Sequence, residues 1–588
     1  MIIPMKKYSF LVYHQDYKPF LVDIQNIGVL DVIKKNIELD EAAKEKLNVI
    51  NDFSKTIKLL SKKQDVPEHS DEKINGLELY HKIIDLQKEV ENLNTQIDII
   101  NKEAAQVEPW GDFSLDTIEK LKKANFYVRF FIAEERRFSE EWQDKYDLLV
   151  INKQKTNVYF VVITKDKNEL DIEADEIKMP ERPISEVLKN KQDIENKIQE
   201  INSILTKYSN KYLPVLTDTL KNLKKDFEFD KVMLNTSREA ENKLMVLQGW
   251  VATSLEEKLK LYLDKKDIMY FSEDAKEDEK VPILLKNNKF AKLFEPIGKL
   301  FSLPSYSELD LTPYFAPFFM LFFGFCLGDA GYGVVLLLVA SLLKFKVNKK
   351  IKPLLSLVQF LGIGTIIMGT ISGTLFGMSL LKVEAFNPIK NIFLTNDQLL
   401  NFSMVLGGIQ IIFGIVLRAV NKIKQHSLIY AIPEFGWILL IFSLLDLALI
   451  KYMVSVSTIV LYISLGMIVF FSNPKGNIFS NIGKGIWDLY GITNIFGDVL
   501  SYIRLFALGV SSSILGFVIN SMALQIKEIP YVGIILYIIF LIIGHTGNLL
   551  ISSLGSFVHP MRLTFVEFYK NAGFEGGGKE YKPFSNKF

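Results

Sequence analysis

The stretch Gly544-His-Thr-Gly-Asn-Leu-Leu-Ile-Ser-Ser-Leu-Gly-Ser-Phe-Val-His-Pro-Met-Arg562 decides how the rest of this chain is read. It continues an apolar run that begins at Gly533, so it reads as the second half of a long membrane-crossing helix. His545, Asn548, Ser552, Gly555, His559 and Arg562 are spaced 3, 4, 3, 4, 3, which puts them on one helical face. At about 1.5 Å of rise per residue the face carries a polar stripe roughly 25 Å long, most of a bilayer core. A helix with one lipid-compatible face and one polar face ending in arginine has something to move or to hold.

Working outward, the chain has two unlike halves. Its 588 residues are 49% hydrophobic with a net charge of +1. Up to about Leu300 the sequence is rich in Lys, Glu and Asp; from Tyr314 onward, apolar runs long enough to span a bilayer follow one another. This reads as an integral membrane protein with a large soluble N-terminal part. Near-zero net charge and the lack of any nucleic-acid motif argue against a nucleic-acid partner. A single cysteine, Cys326, excludes an internal disulfide and a cysteine-based metal site, and its apolar setting predicts a buried, inert thiol. Met1–Lys7 has no signal-peptide pattern, so the soluble half is expected in the cytoplasm.

In the soluble half, residues 5–13 and about 26–33 read as short strands. Leu79, Ile83, Leu86, Val90, Leu93, Ile97 and Ile100 then form a heptad stripe, and Val187, Ile194, Ile198, Ile201, Leu205, Tyr208, Tyr212 and Val215 sit on a second heptad frame. Between them lie three strand-like runs (Asn125–Ala133, Tyr146–Asn152, Asn157–Ile163) and a charged helix, Glu134–Lys145. Leu244–Ala252 and Asp267–Phe271 add strand-like sequence. The expected layout over residues 1–300 is a near lobe (about 1–65 and 225–275), an antiparallel coiled coil (about 70–108 and 183–224) and a distal lobe (about 109–182). The alternative is a globular helical domain with apolar core stripes. No phosphate-binding glycine loop of the GxxxxGK[ST] type and no His/Cys cluster is present, so no cofactor, metal site or ATP site of its own is expected. The proline-punctuated stretch 273–313, ending in a linker at 301–313, leads to the membrane.

Charge orients the crossings. The basic run Lys344–Lys352, then Arg418, Lys422, Lys424 and His426, then Lys475 and Lys484, and finally Lys570, Lys579 and Lys582 are expected on the cytoplasmic side. Eight crossings over residues 314–588 satisfy this, with both termini cytoplasmic; the first two form a hairpin turning at Gly328-Asp329, with Asp329 as a turn or cap residue.

The seventh crossing carries Gly497-Asp-Val-Leu-Ser-Tyr-Ile-Arg-Leu505. Tyr490, Asn494, Gly497, Ser501, Arg504 and Ser511 share a face, so this helix is striped as well. An arginine near the bilayer centre costs on the order of 3 kcal/mol on insertion scales and needs a carboxylate or water to face. Asp446, Asp498 and Glu567 are the internal candidates, yet Asp498 is six positions from Arg504 and Glu567 five from Arg562, so neither shares its arginine's helix face. The functional alternative is a carboxylate on another subunit. An arginine stays charged and favours the ionised form of an approaching carboxylate, forcing it to release a proton or Na⁺.

With those residues in view, Gly497–Leu505 and His559-Pro-Met-Arg562-Leu-Thr-Phe-Val-Glu567-Phe, followed by Glu575-Gly-Gly-Gly, resemble signatures of subunit a (subunit I in prokaryotes) of the V-type and A/V-type rotary ATPases. Leu311-Thr-Pro-Tyr-Phe-Ala-Pro-Phe-Phe, Gly328-Asp-Ala-Gly-Tyr-Gly333 and Gly249-Trp-Val251 are similar to that family too, in a prokaryotic-like form. The resemblance implies an α+β cytoplasmic half, two α/β lobes joined by an antiparallel helical coiled coil, plus an all-α polytopic membrane domain of eight helices. It implies a stator subunit held by peripheral stalks of the E/G type, among other V-type ATPase subunits and membrane lipid. Its membrane domain would stand beside a rotating proteolipid c-ring. Arg504 and Arg562 match the family's two essential arginines, which discharge the ring carboxylate and keep two half-channels apart; His559 matches a polar pathway position. His545, Asn548 and Ser552 are expected to line the half-channel toward the outside, with Ser501, Asn494, Asp498 and Glu567 as further candidates on the ion path. The chain departs from some members at Thr564, where histidine or glutamine occurs, and at Gly491, near an acidic channel position. Two rivals stand beside this reading: a secondary transporter or channel, which predicts internal repeats that are not evident, and a purely structural membrane tether.

Overall fold

The computed structural model describes residues 1–33, 41–64, 74–165, 170–241, 243–266, 268–276, 279–380, 393–474 and 478–586. Asp267 and Lys475, to which the sequence assigned positions, lie outside the described residues. The chain divides into two compact units, Met1–Ile33 with Thr236–Lys587, and Lys34–Asn235.

In the unit 34–235, three long helices do most of the packing: α1 (Glu41–Lys63), α2 (Gly76–Val107) and α3 (Ile184–Leu234). Asn75 starts α2 by accepting the Leu77 N–H, and Pro183, in extended backbone, marks the start of α3. The heptad stripes meet: Leu79 and Ile83 lie with Ile201, Leu205, Tyr212 and Leu216, while Ile100 lies with Val187 and Ile194. A third helix joins them. Phe53, Ile57 and Leu60 of α1 recur at helical spacing and enter the same core, Phe53 stacks on Tyr80, and Ser209 donates to the Leu60 carbonyl at 2.7 Å. Tyr127–Glu134, Asp147–Gln154, Asn157–Thr164 and Asp175–Ile177 build an antiparallel four-stranded sheet with Asn157–Thr164 and Tyr127–Glu134 central. The charged helix expected at 134–145 is only Glu141–Lys145, because Glu134 is still paired with Asn157 as strand.

In the other unit, Met5–Tyr13 and Leu244–Ala252 run antiparallel at the centre of a five-stranded sheet flanked by Met269–Asp274 and Asp31–Val32. The period of two buries Tyr8, Phe10 and Val12. Residues 26–33, expected as a strand, supply only Asp31–Val32. Upstream, Tyr17–Ile27 is helical, since Tyr17, Phe20, Leu21 and Ile24 make one buried face.

The same unit holds the apolar helices. Among the described residues six are long and apolar enough to cross a membrane: Lys352–Ser372, Asn396–Gln425, Leu428–Ala448, Val454–Phe471, Phe479–Lys527 and Gly533–Asn571. Ahead of them come α4 (Thr312–Leu327) and α5 (Ala330–Lys346). At about 1.5 Å per residue each is roughly 25 Å long. Their non-helical junction, Gly328-Asp329, is buried in protein. Helix α6 (Lys352–Ser372) packs on both. Gly364 of α6 lies against the Met320 carbonyl of α4 and Gly369 against Ala330 of α5, so close that a Cβ at either would overlap backbone. The chain continues through α7 (Asn396–Gln425), α8 (Ile432–Leu445) and α9 (Val454–Phe471). Glu434 at the start of α8 takes Arg418 and Lys422 of α7, Lys422 at 2.7 Å, so two cations of the basic stretch are bound internally.

Candidate functional site

The 49-residue stretch Phe479–Lys527 is not one straight helix. It breaks at Tyr490 and Tyr502 into Ile478–Leu489, Gly491–Ser501 and α10 (Ile503–Lys527). Around the second break, Tyr502 N–H bonds the Val499 carbonyl and Leu505 N–H the Tyr502 carbonyl, the tighter three-residue pattern. Tyr502 is fully buried, its ring edge-on to Phe322 and its hydroxyl donating to Gln410 Oε1 at 2.6 Å. Gly407 of α7 makes room for that ring; any Cβ there would overlap it. The kink therefore sits two residues before Arg504 and is keyed into α7 by a side chain. In the segment before the break, Asn494 is exposed and the Ser501 hydroxyl is taken by its own helix at Gly497.

The last long helix, α11 (Gly533–Arg562), is also altered where its arginine stands. Pro560 removes one helical donor, and Leu563–Phe568 continues as a π-helix. Five-residue hydrogen bonding brings residues five apart closer to one face than an α-helix does, so Glu567 is less separated from Arg562 than the α-helical count implied. Glu567 is 3% exposed with its Oε2 unpartnered, beside Thr564, whose hydroxyl is likewise buried and unpartnered. Arg504 and Arg562 are both within electrostatic reach of Glu567 and of His559. Arg504 has a buried, unpartnered Nη1, whereas Arg562 is exposed.

Two of the three acids considered as internal partners, Asp498 and Asp446, are engaged otherwise. Asp498 pairs with Lys570 at 3.3 Å and accepts from Asn571 at 2.8 Å. Asp446 caps the following turn through the Tyr452 and Met453 N–H groups and Ser457. Asp498, Arg504, His559, Arg562, Glu567, Lys570 and Asn571 thus gather around the C-terminal ends of two striped segments.

Toward the N-terminal end of α11 the stripe forms a second centre. His545 Nδ1 lies 2.8 Å from the Tyr332 hydroxyl and Nε2 3.0 Å from Asn520 Oδ1. Asn520 spends its amide hydrogens on the Phe376 carbonyl, so its oxygen must accept from Nε2–H, leaving Nδ1 to accept from Tyr332. Asn548 donates to the Tyr332 oxygen at 2.8 Å and to the Ser512 carbonyl at 3.2 Å, and Ser552 donates to Asn548 at 2.9 Å. Beneath Tyr332, Asp329 is 0% exposed and caps α5, accepting from Gly331 and Tyr332 and, across to another loop, from Phe376 and Gly377. The cap expected at Asp329 is present. The sequence reading did not single out Tyr332, Asn520, Gln410 or Asn571; Asn520 was legible as the third member of a small-and-polar row with Ser512 and Gly516, four residues apart. Among the described residues no His, Cys, Asp and Glu cluster is arranged to hold a metal.

These features define a class: an integral membrane protein with a soluble α/β region and a helical bundle that holds an arginine to which, among the described residues, no carboxylate is bonded. Residues 172–356 match the model of the V-type ATPase 116kDa subunit family. Along its length the chain is 28% identical to V-type ATP synthase subunit I of Borreliella burgdorferi, covering 99% of both chains. It is 31% identical to A-type ATP synthase subunit I of Methanocaldococcus jannaschii over 58% of this chain and 54% of that one. A crystal structure of the cytoplasmic N-terminal domain of subunit I, homolog of subunit a, of V-ATPase aligns with 46% of this chain at 11% identity and a TM-score of 0.22. Along its whole length the chain is thus similar to subunit I of V-type ATP synthases.

Proposed function

We propose that this chain is the stator subunit of a rotary V-type ATPase and forms the ion path against a rotating ring of carboxylate-bearing subunits. The observation that carries the reading is the buried, unpartnered Nη1 of Arg504, on a helix kinked two residues earlier by Tyr502. A guanidinium held at membrane depth without a bonded acid is poised for a carboxylate that arrives from outside the chain. Arg504 and Arg562 discharge that carboxylate; His559, Asp498, Glu567, Ser501 and Asn494 lie on the side where ions enter or leave the cytoplasm, and His545, Asn548 and Ser552 on the opposite side. The arginines separate the two half-channels electrostatically.

In this proposal α4 and α5 are short crossings, which with the six long helices makes eight, and the soluble part and the C-terminal segment are cytoplasmic. Helices α2 and α3 act as an antiparallel coiled coil between a near and a distal lobe, on which E/G-type peripheral stalks bear. ATP is hydrolysed by other subunits. Arg504→Ala in the assembled complex tests the reading: ATP-driven ion transport into vesicles is lost while assembly persists, and undiminished transport refutes it. The tether reading draws on a specific observation too, the mutual hydrogen bonding of Tyr332, His545, Asn520 and Asn548. It predicts that Arg504→Ala harms assembly and leaves transport per assembled complex intact.

A further inference from the structure

The segment that follows the π-helix does not end at the membrane helices. Tyr569 is buried between Phe301, Phe565 and Phe574, and from there residues 573–584 run back to the five-stranded sheet. Glu308, 2% exposed, holds the start of this run: its carboxylate accepts from Glu575 N–H at 2.7 Å and Gly576 N–H at 3.2 Å, as well as from Ser305 N–H at 2.8 Å. Gly576 and Gly577 have positive φ, which lets successive N–H groups turn toward Glu308 and the Ser302 hydroxyl. Gly578 N–H bonds the Leu303 carbonyl, and Lys579–Glu580 pairs in parallel with Pro282–Ile283. Lys299 reaches Glu580 at 2.5 Å. Beyond that, Tyr581 is buried with its hydroxyl on the Val29 carbonyl, Lys582 N–H bonds Asp31, and Phe584 N–H bonds the Leu30 carbonyl at 2.7 Å.

Two stretches of chain therefore join the sheet to the membrane helices: the covalent linker through 282–311 and this returning run. Fully extended, twelve residues span at most about 40 Å, so the run is a short tie. A single tie between two bodies leaves them free to swivel about it; a second, laterally displaced tie removes that freedom. The returning run also starts from the helix that carries Arg562 and Glu567.

We propose that residues 573–584 are a strap, locked by Glu308, that holds the arginine-bearing end of α11 in fixed position against the five-stranded sheet when a moving partner pushes on it. Glu308 is a positioning residue, acting through the strap on Arg562. The inference rests on the proposed function, because the push comes from the ring.

A recognition sequence for a site-specific protease, inserted between Gly577 and Gly578 and cut only after the complex is assembled in vesicles, removes folding from the question. Cutting lowers ions transported per ATP hydrolysed by more than half while ATP hydrolysis continues. Glu308→Ala lowers the ratio in the same direction and, by releasing the backbone of the strap, speeds tryptic cleavage at the surface residues Lys579 and Lys582, and Glu308→Gln, which keeps one acceptor oxygen, restores part of it. An unchanged ratio after complete cutting overturns the strap. If the uncut insertion complex matches wild type and neither pumps ions, the proposed function fails and takes the strap with it, so the two failures are told apart.

Discussion

Asp329→Ala is the sharpest test of how the membrane helices are held together. Its carboxylate accepts from Gly331 N–H at 2.8 Å, Tyr332 N–H at 3.2 Å, Phe376 N–H at 2.8 Å and Gly377 N–H at 2.6 Å. Alanine has no acceptor to offer these buried N–H groups. Leaving these four donors unsatisfied costs roughly 1–2 kcal/mol for each that stays buried, or about 4–8 kcal/mol together. At roughly 2 °C per kcal/mol, the low end of the range and the one that larger units approach, the melting point falls by roughly 8–16 °C. Asparagine keeps one acceptor but turns an amide hydrogen toward an N–H, so Asp329→Asn falls between. Cys326 supplies the assay. It is the only cysteine, fully buried in α4 three residues before Asp329, so its reaction with a fluorogenic maleimide during heating in detergent reports the opening of this junction. A melting point for Asp329→Ala within about 3 °C of wild type would refute the argument, since it would put the worth of the buried carboxylate near 1 kcal/mol.

Three further outcomes follow from the packing. Gly407→Ala forces its methyl into the Tyr502 ring and costs about 1–3 kcal/mol as overpacking, lowering the same thiol-detected melting point; an unshifted melt counts against the ring-in-groove account of the kink. Glu434→Gln leaves Arg418 and Lys422 beside a buried neutral amide and destabilises by about 3 kcal/mol, reduced toward neutrality when Arg418 is replaced by methionine; equal loss in the single and double variants contradicts the pairing. In the near sheet, hydrogen bonds from Lys260, then Lys6 and Tyr8, outweigh burial and hold the Glu256 carboxyl down at about 2, against an ordinary value of 4.5. A depressed carboxyl stabilises the fold above its unfolded value and loses that contribution as pH falls through the folded one. Glu256→Gln is therefore less stable than wild type at neutral pH, and the gap closes between pH 4.5 and about 2; a gap that does not change with pH in that window removes the ion cluster as its cause.

Much of the architecture was legible because it rests on short-range periodicity. The heptad residues of α2 and α3, the alternation in Met5–Tyr13, and the break at Gly328-Asp329 each follow from residues within one element and its cap. The sequence missed α1 in the helical core: a stripe marks a buried face but does not say how many helices share it. Glu134–Lys145 shrank because strand pairing with Asn157 outcompeted a local helical preference. For the site, the two stripes and their arginines were readable from spacing alone, whereas the kink at Tyr502 was not, since it depends on an absent side chain at Gly407, nearly a hundred residues away.

By itself the sequence determined that this chain has a soluble α/β part and an apolar helical part, and that Arg504 and Arg562 lie on polar stripes. Those are consequences of hydrophobic period and of the cost of charge in an apolar run. Only the tertiary structure decided what each polar group faces. It gave Asp498 to Lys570 and Asn571, tied His545 and Asn548 to Tyr332, and left Arg504 Nη1 and Glu567 Oε2 without hydrogen bonds. Hydrogen bonds reach only about 3 Å, so which groups meet depends on kinks and helix contacts that bring distant segments within that range.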